Sequence, residues 1–192
     1  MQNAEFGSFY MNNLENIKNC LAVERPVAWD SLPDIDLYMD QVLSYMRRQL
    51  YSSRPESNVT AAMVNNYIRD GILPRTNDKK YSRSHIARLT TICVLKQVLA
   101  VGDISLLFGL FDESEMKDAY EKYRAVLDSE LSSAMENVPS SDDEQAIADA
   151  IVRFSIKSYA NKLAAEQLLD MVKECKGSKK EKSKEKEQKN KK

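Results

Sequence analysis

Arg69, Arg75, Lys79, Lys80 and Arg83 crowd into a short stretch that also holds Asn65, Asn66 and Tyr81. Guanidinium and ammonium groups pair with phosphate oxygens. An Asn carboxamide can bond an adenine edge bidentately, and Arg a guanine edge. The charge is local. Between Arg47 and Lys96 ten Lys/Arg face three Asp/Glu, net +7, inside a chain of net charge −1. A basic island of this kind suits a polyphosphate, because each neutralised phosphate releases counterions. The competing reading is a solvated charged face that happens to be basic.

Little else in the chain offers chemistry. His85 is the only histidine. It falls in the first turn of an expected helix with no Ser, Cys or acid placed for it by a motif, so it reads as a surface residue, with a phosphate contact as the alternative. Asp34, Asp36 and Asp40 sit at i, i+2 and i+6 and do not converge; they suit the start of a helix dipole better than a carboxylate pair. Cys20, Cys93 and Cys175 lie far apart with no C-x-x-C spacing, which points to reduced thiols and a reducing compartment. There is no Gly-rich phosphate loop and no metal-ligand spacing. The expectation is a protein without enzymatic activity, cofactor or metal. No apolar run is long enough for a bilayer and the start lacks a signal-peptide pattern, so a cytoplasmic location without membrane association is expected.

The elements that must position the cations are legible. Thr60 is a good N-cap, and Met63, Val64, Tyr67 and Ile68 form one apolar face at helical spacing. Asn65, Asn66 and Arg69 are left to point outward. Gly71 stands where the chain must turn left-handed, and Pro74 forbids further helix. Arg75 to Tyr81 is a polar turn with Asn77-Asp78 at its tip. Ser82 caps the next helix, whose inner face is Ile86, Leu89, Cys93 and Lys96, with Ile92 and Leu99 beside it.

The segment MVNNYIRDGILPRTNDKKYSRSHIARLTTI resembles the DNA-binding domain of the MerR-type regulators. The matching residues are Tyr67, Gly71-Ile72-Leu73-Pro74, Lys79-x-Tyr81-Ser82 and Leu89-x-x-Ile92. The resemblance implies a winged helix-turn-helix, double-stranded DNA as partner, transcription regulation, and a homodimer held by a C-terminal helix. It implies DNA contacts by Asn65, Asn66, Arg69, Arg75, Lys79, Lys80, Tyr81 and Arg83. Lys79 stands where the family usually has Arg, exchanging a planar fork for a point charge. Upstream, Trp29 and LPDIDLYMDQV resemble a bacterial family catalogued only as a domain of unknown function, over roughly residues 25 to 135. A helical protein–protein interaction module, with Tyr67 and the basic turn inside an interface, is the alternative function.

The rest of the chain reads as helix. Tyr10, Leu14, Ile17 and Leu21 mark a short helix after Ser8 that ends before Pro26, and Trp29 covers a core. A helix starting at Ser31-Leu32-Pro33-Asp34 carries the stripe Ile35, Met39, Val42, Met46 and Leu50. Val101-Gly102-Asp103 is a break. A helix from Asp112 to about Val138 and another to about Cys175 are joined at Pro139-Ser140-Ser141, with Ser141 to Glu144 as a capping box. They form a helical hairpin whose stripes (Met116, Tyr120, Tyr123, Leu127; Phe154 on the second helix) complete a monomer core, seam a dimer or line an effector pocket. From Lys176 to Lys192 nine Lys stand with three Glu and no large apolar residue, which predicts a disordered tail. The fold expectation is all-α: an N-terminal short helix over 1–30, a winged helix-turn-helix-like domain over 31–111, the hairpin over 112–175 and the tail over 176–192.

Overall fold

A computed structural model describes residues 14–49 and 59–189. Among them there is no strand; the only sheet-like pairings are the isolated bridges Leu37–Tyr81 and Asn77–Lys80. The chain is all-helical: α1 over 14–23, α2 Met39–Gln49, α3 Ala61–Arg69, α4 Arg83–Leu95, α5 Val101–Phe108, α6 Met116–Glu136 and α7 Glu144–Lys189. Among the described residues no helix is long and apolar enough to cross a membrane. Two compact units divide at Ile151, inside α7.

In the first unit α4 is the central element. Eight consecutive residues, Ile86 to Cys93, are buried, so the helix is enclosed on every side. A helix buried all round must satisfy its polar side chains internally. Thr90 Oγ1 donates to Ile86 O at 2.9 Å and Thr91 Oγ1 to Ala87 O at 3.1 Å. Arg88, 8% exposed, lays its guanidinium 5.1 Å from the centroid of the Phe108 ring, a cation–π contact. Burial also pushes the Cys93 thiol up to about 11, so it is a packed, unreactive core side chain. Cys20 and Cys175 are exposed.

α6 packs on α4, and Met116 and Tyr120 belong to the same core as Val42, Met46, Val64 and Leu89. These two stripe residues are therefore core, not a seam. A strap of residues before α2 is tied across α6. Tyr120 Oη donates to Val27 O at 3.0 Å, Arg124 Nε to Pro26 O at 2.9 Å, and Trp29 N–H to Glu121 Oε1 at 2.6 Å. The Trp29 N–H, first, and Arg124 hold the Glu121 carboxyl below the ordinary range. Arg25 also pairs with Asp128. Trp29 meets Tyr120 edge to face at 6.1 Å, as a ring covering the core should.

Several expected boundaries move. α2 begins at Met39, not near Ser31, because Leu37 pairs by two backbone hydrogen bonds with Tyr81, 2.9 and 2.8 Å, and that extended pairing excludes helix. Ile35 accordingly stands 67% exposed. Gly102 and Asp103 lie inside α5, and the break precedes Val101. At the start of α7 the cap is Asp143, which accepts from Ala146 N–H at 3.0 Å, while Ser141 accepts from Asp143 N–H at 3.2 Å. The Lys-rich segment expected to be disordered continues α7 to Lys189. Lys and Glu are good helix formers, and a helix already nucleated extends at little cost. Over its described residues the second unit is the part of α7 that follows Ile151. Tyr10, Leu50 and residues 51–58 lie outside the described residues.

Candidate nucleic-acid interface

α3 is built as the sequence requires. Thr60 Oγ1 accepts from Met63 N–H at 3.3 Å. Val64 and Tyr67 are buried, with Met63 and Ile68 packed beside them. Gly71 has φ +72°, and the N–H groups of Ile72 and Leu73 both return to Tyr67 O, at 2.8 and 3.0 Å. The helix therefore ends in a left-handed turn that folds Ile72 and Leu73 into the core. The opposite face is Ala62, Asn65, Asn66 and Arg69, all exposed. Their spacing of i, i+3, i+4 and i+7 makes one surface stripe: a small residue, two carboxamides and a guanidinium.

The basic turn follows. Lys80 N–H donates to Asn77 O at 2.8 Å, and the two central residues, Asp78 and Lys79, have φ of +49° and +60°. That is the mirror-image turn of a two-residue hairpin, one for which Asn-Gly is the preferred sequence. Arg75 and Lys79 are exposed. Lys80 is half-buried, its ammonium 5.7 Å from the Tyr38 ring centroid. Arg83 is also half-buried and donates from Nε to Pro33 O at 3.3 Å. Tyr81 departs from the expected set. It is 4% exposed and belongs to the core, because its backbone pairs with Leu37. Arg69 is held by its neighbour, Nε to Asp70 Oδ1 at 2.9 Å, an exposed pair of small energetic weight.

A side chain that does not fit the turn it occupies is a sign of something other than stability. Lys79 in the left-handed region costs on the order of 1 kcal/mol. Asp78→Asn together with Lys79→Gly should raise stability by about 1 kcal/mol in urea unfolding, while removing one exposed cation. No gain in stability would show that the turn carries no such strain.

His85 differs from the sequence expectation. It is half-buried, not a surface residue. Ser82 N–H donates to His85 Nδ1 at 3.2 Å, and Ser82 Oγ lies 2.8 Å from the same nitrogen. This is a capping box in which imidazole replaces the usual carboxylate. The signal was available: His stands three residues after the Ser cap. Nδ1 must be unprotonated to accept, so the proton sits on Nε2, which is buried and has no acceptor in hydrogen-bond geometry. Burial, the largest influence, lowers the pKa of His85; the nearby Pro74 and Arg75 carbonyls oppose it, Arg88 assists, and Asp36 opposes. The folded state thus prefers neutral His85. Its contribution is fully present above the ordinary value of 6.5 and decays as pH falls from there to the lowered folded value, because the unfolded chain takes the proton first. His85→Asn keeps an acceptor and removes the titration. Urea unfolding at pH 7.5 and pH 5 should therefore show a smaller acid loss in this variant than in the wild type. Equal losses would show that His85 does not drive the acid loss.

Among the described residues no group of His, Cys, Asp and Glu could hold a metal ion. No curated protein and no solved structure matches the chain. A family model described as a domain of unknown function (DUF1836) matches residues 27–126, from the strap through the basic turn and into α6, and the chain belongs to that family.

Proposed function

We propose that the chain binds double-stranded DNA through α3 and the basic turn, as a non-enzymatic transcription regulator with a winged helix-turn-helix like that of the MerR-type proteins. The observation that carries this reading is the exposed stripe of Ala62, Asn65, Asn66 and Arg69 on α3, followed after one left-handed turn by a hairpin tip presenting Arg75 and Lys79. A small residue lets the helix approach a groove, the carboxamides read base edges, and the cations take phosphates. Arg69, Arg75, Lys79, Lys80 and Arg83 supply the phosphate contacts; Asn65, Asn66 and Arg69 supply base contacts. Tyr81 positions the turn from inside the core. The reading carries with it a cytoplasmic location and a homodimer, in which two copies of α3 meet successive turns of one DNA face.

A gel shift with random-sequence duplex at low and moderate salt tests it. With ~4–5 phosphate contacts per protomer the log–log salt slope is about −4. No shift at low salt would sink the reading and favour the interaction module. That alternative draws on Ile35 and Tyr38, large apolar side chains exposed beside the strand-like pairing that holds the basic turn.

A further inference from the structure

We infer that the first unit binds a neutral, largely apolar small molecule in the cavity between α4, α5 and α6. The cavity measures about 410 Å³, within the range of small-molecule sites. Its walls are Leu95 of α4, Leu107 and Phe108 of α5, and Met116, Tyr123 and Val126 of α6. Val126 is 63% exposed and Phe111, at the rim, 48%, so apolar side chains face open space there instead of closing on one another.

The uncharged polar groups of the lining are few. Thr91, on the wall, gives its hydroxyl proton to Ala87 O at 3.1 Å. Tyr123 also lines the cavity, and its hydroxyl is buried with no hydrogen-bond partner, a single neutral polar group that a largely apolar ligand with one acceptor can satisfy. The charged lining residues are Arg88 and Lys122 against Asp112 and Glu130. These balance, and Arg88 is already stacked on Phe108. A charged ligand gains no net attraction there and loses its hydration. A second copy of the chain is a poorer occupant, because a helix laid across a deep concavity leaves voids that lose dispersion contacts. The site is independent of the DNA reading: occupancy needs no nucleic acid, and either proposal can fail alone.

The test uses the full chain and N-phenyl-1-naphthylamine, a neutral dye that fluoresces in apolar surroundings. Its anilinonaphthalene sulfonate relative, an anion on the same ring skeleton, is the control. The expected result is saturable binding of one neutral dye per chain, with the sulfonate at least about tenfold weaker. Ala119→Trp and Leu107→Trp fill the cavity from opposite walls, and each should weaken the neutral dye by at least about tenfold. Two variants are made so that the outcome does not hang on the folding of one, which thermal unfolding monitors. Absent or unsaturable binding, equal affinity for the sulfonate, or unchanged affinity in a folded variant would overturn the proposal. So would dye release as protein concentration rises, which would assign the cavity to a second copy.

Discussion

If the proposed DNA binding holds, Arg75→Ala, Lys79→Ala and Lys80→Ala combined should lower affinity for random-sequence duplex by roughly a hundredfold at moderate salt and shallow the log–log salt slope by about 2–3 units. The magnitude follows from counterion release: each phosphate contact contributes a slope of about 0.9, and three lost contacts multiply at any salt below molar. Arg75 and Lys79 are exposed and Lys80 is half-buried over Tyr38, so the variant keeps its core and its melting transition. Lys79→Ala with Lys80→Ala alone should shallow the slope by about 1–2 units. The comparison with Asn66→Ala separates positioning from readout. Asn66 on the α3 stripe should leave nonspecific affinity nearly intact and relax preference at one base position, by about 1–3 kcal/mol. A triple variant with the wild-type slope would move the basic turn off the DNA.

Tyr120→Ala has the largest expected effect on stability, a loss of about 3–5 kcal/mol in urea unfolding. Tyr120 is 1% exposed, meets Trp29 at 6.1 Å and Tyr123 at 6.0 Å, and holds Val27 O through its hydroxyl. Truncation opens a cavity beneath the strap and removes one of its ties to α6, leaving those made by Arg124, Glu121 and Asp128. Tyr120→Phe removes only the hydrogen bond and leaves the Val27 carbonyl unpaired, at about 1 kcal/mol. The difference between the two variants isolates the packing of the ring. If Tyr120→Ala costs less than ~1 kcal/mol, the strap and α6 are not part of the α4 core. The domain would then end before α6.

Local rules of the chain were enough for α3 and its turn. Thr60 as cap, the apolar spacing of Met63, Val64, Tyr67 and Ile68, the left-handed Gly71 and the stop at Pro74 are short-range effects, each settled within a turn or two of helix. The outward placement of Asn65, Asn66 and Arg69 follows from the same periodicity. Long-range pairing decided the rest. Nothing in the sequence around Leu37 announces that its backbone bonds to Tyr81, yet that pairing delays α2, leaves Ile35 in solvent and takes Tyr81 out of the exposed set. Arg88 and Thr91 are polar residue types, and only the packing of α4 among its neighbouring helices buries them. Met116 and Tyr120 showed a stripe, but a stripe does not name its partner; the tertiary structure gives them to α4. The α6 stripe left a pocket open as one reading, and Met116, Tyr123 and Leu127 do line the cavity; nothing in the sequence placed α4 and α5 opposite them, because the cavity is the space left where three helices, each regular by itself, fail to close. Periodicity fixes which face of a helix is apolar, whereas the choice of what covers that face is made by contacts between residues far apart in the chain.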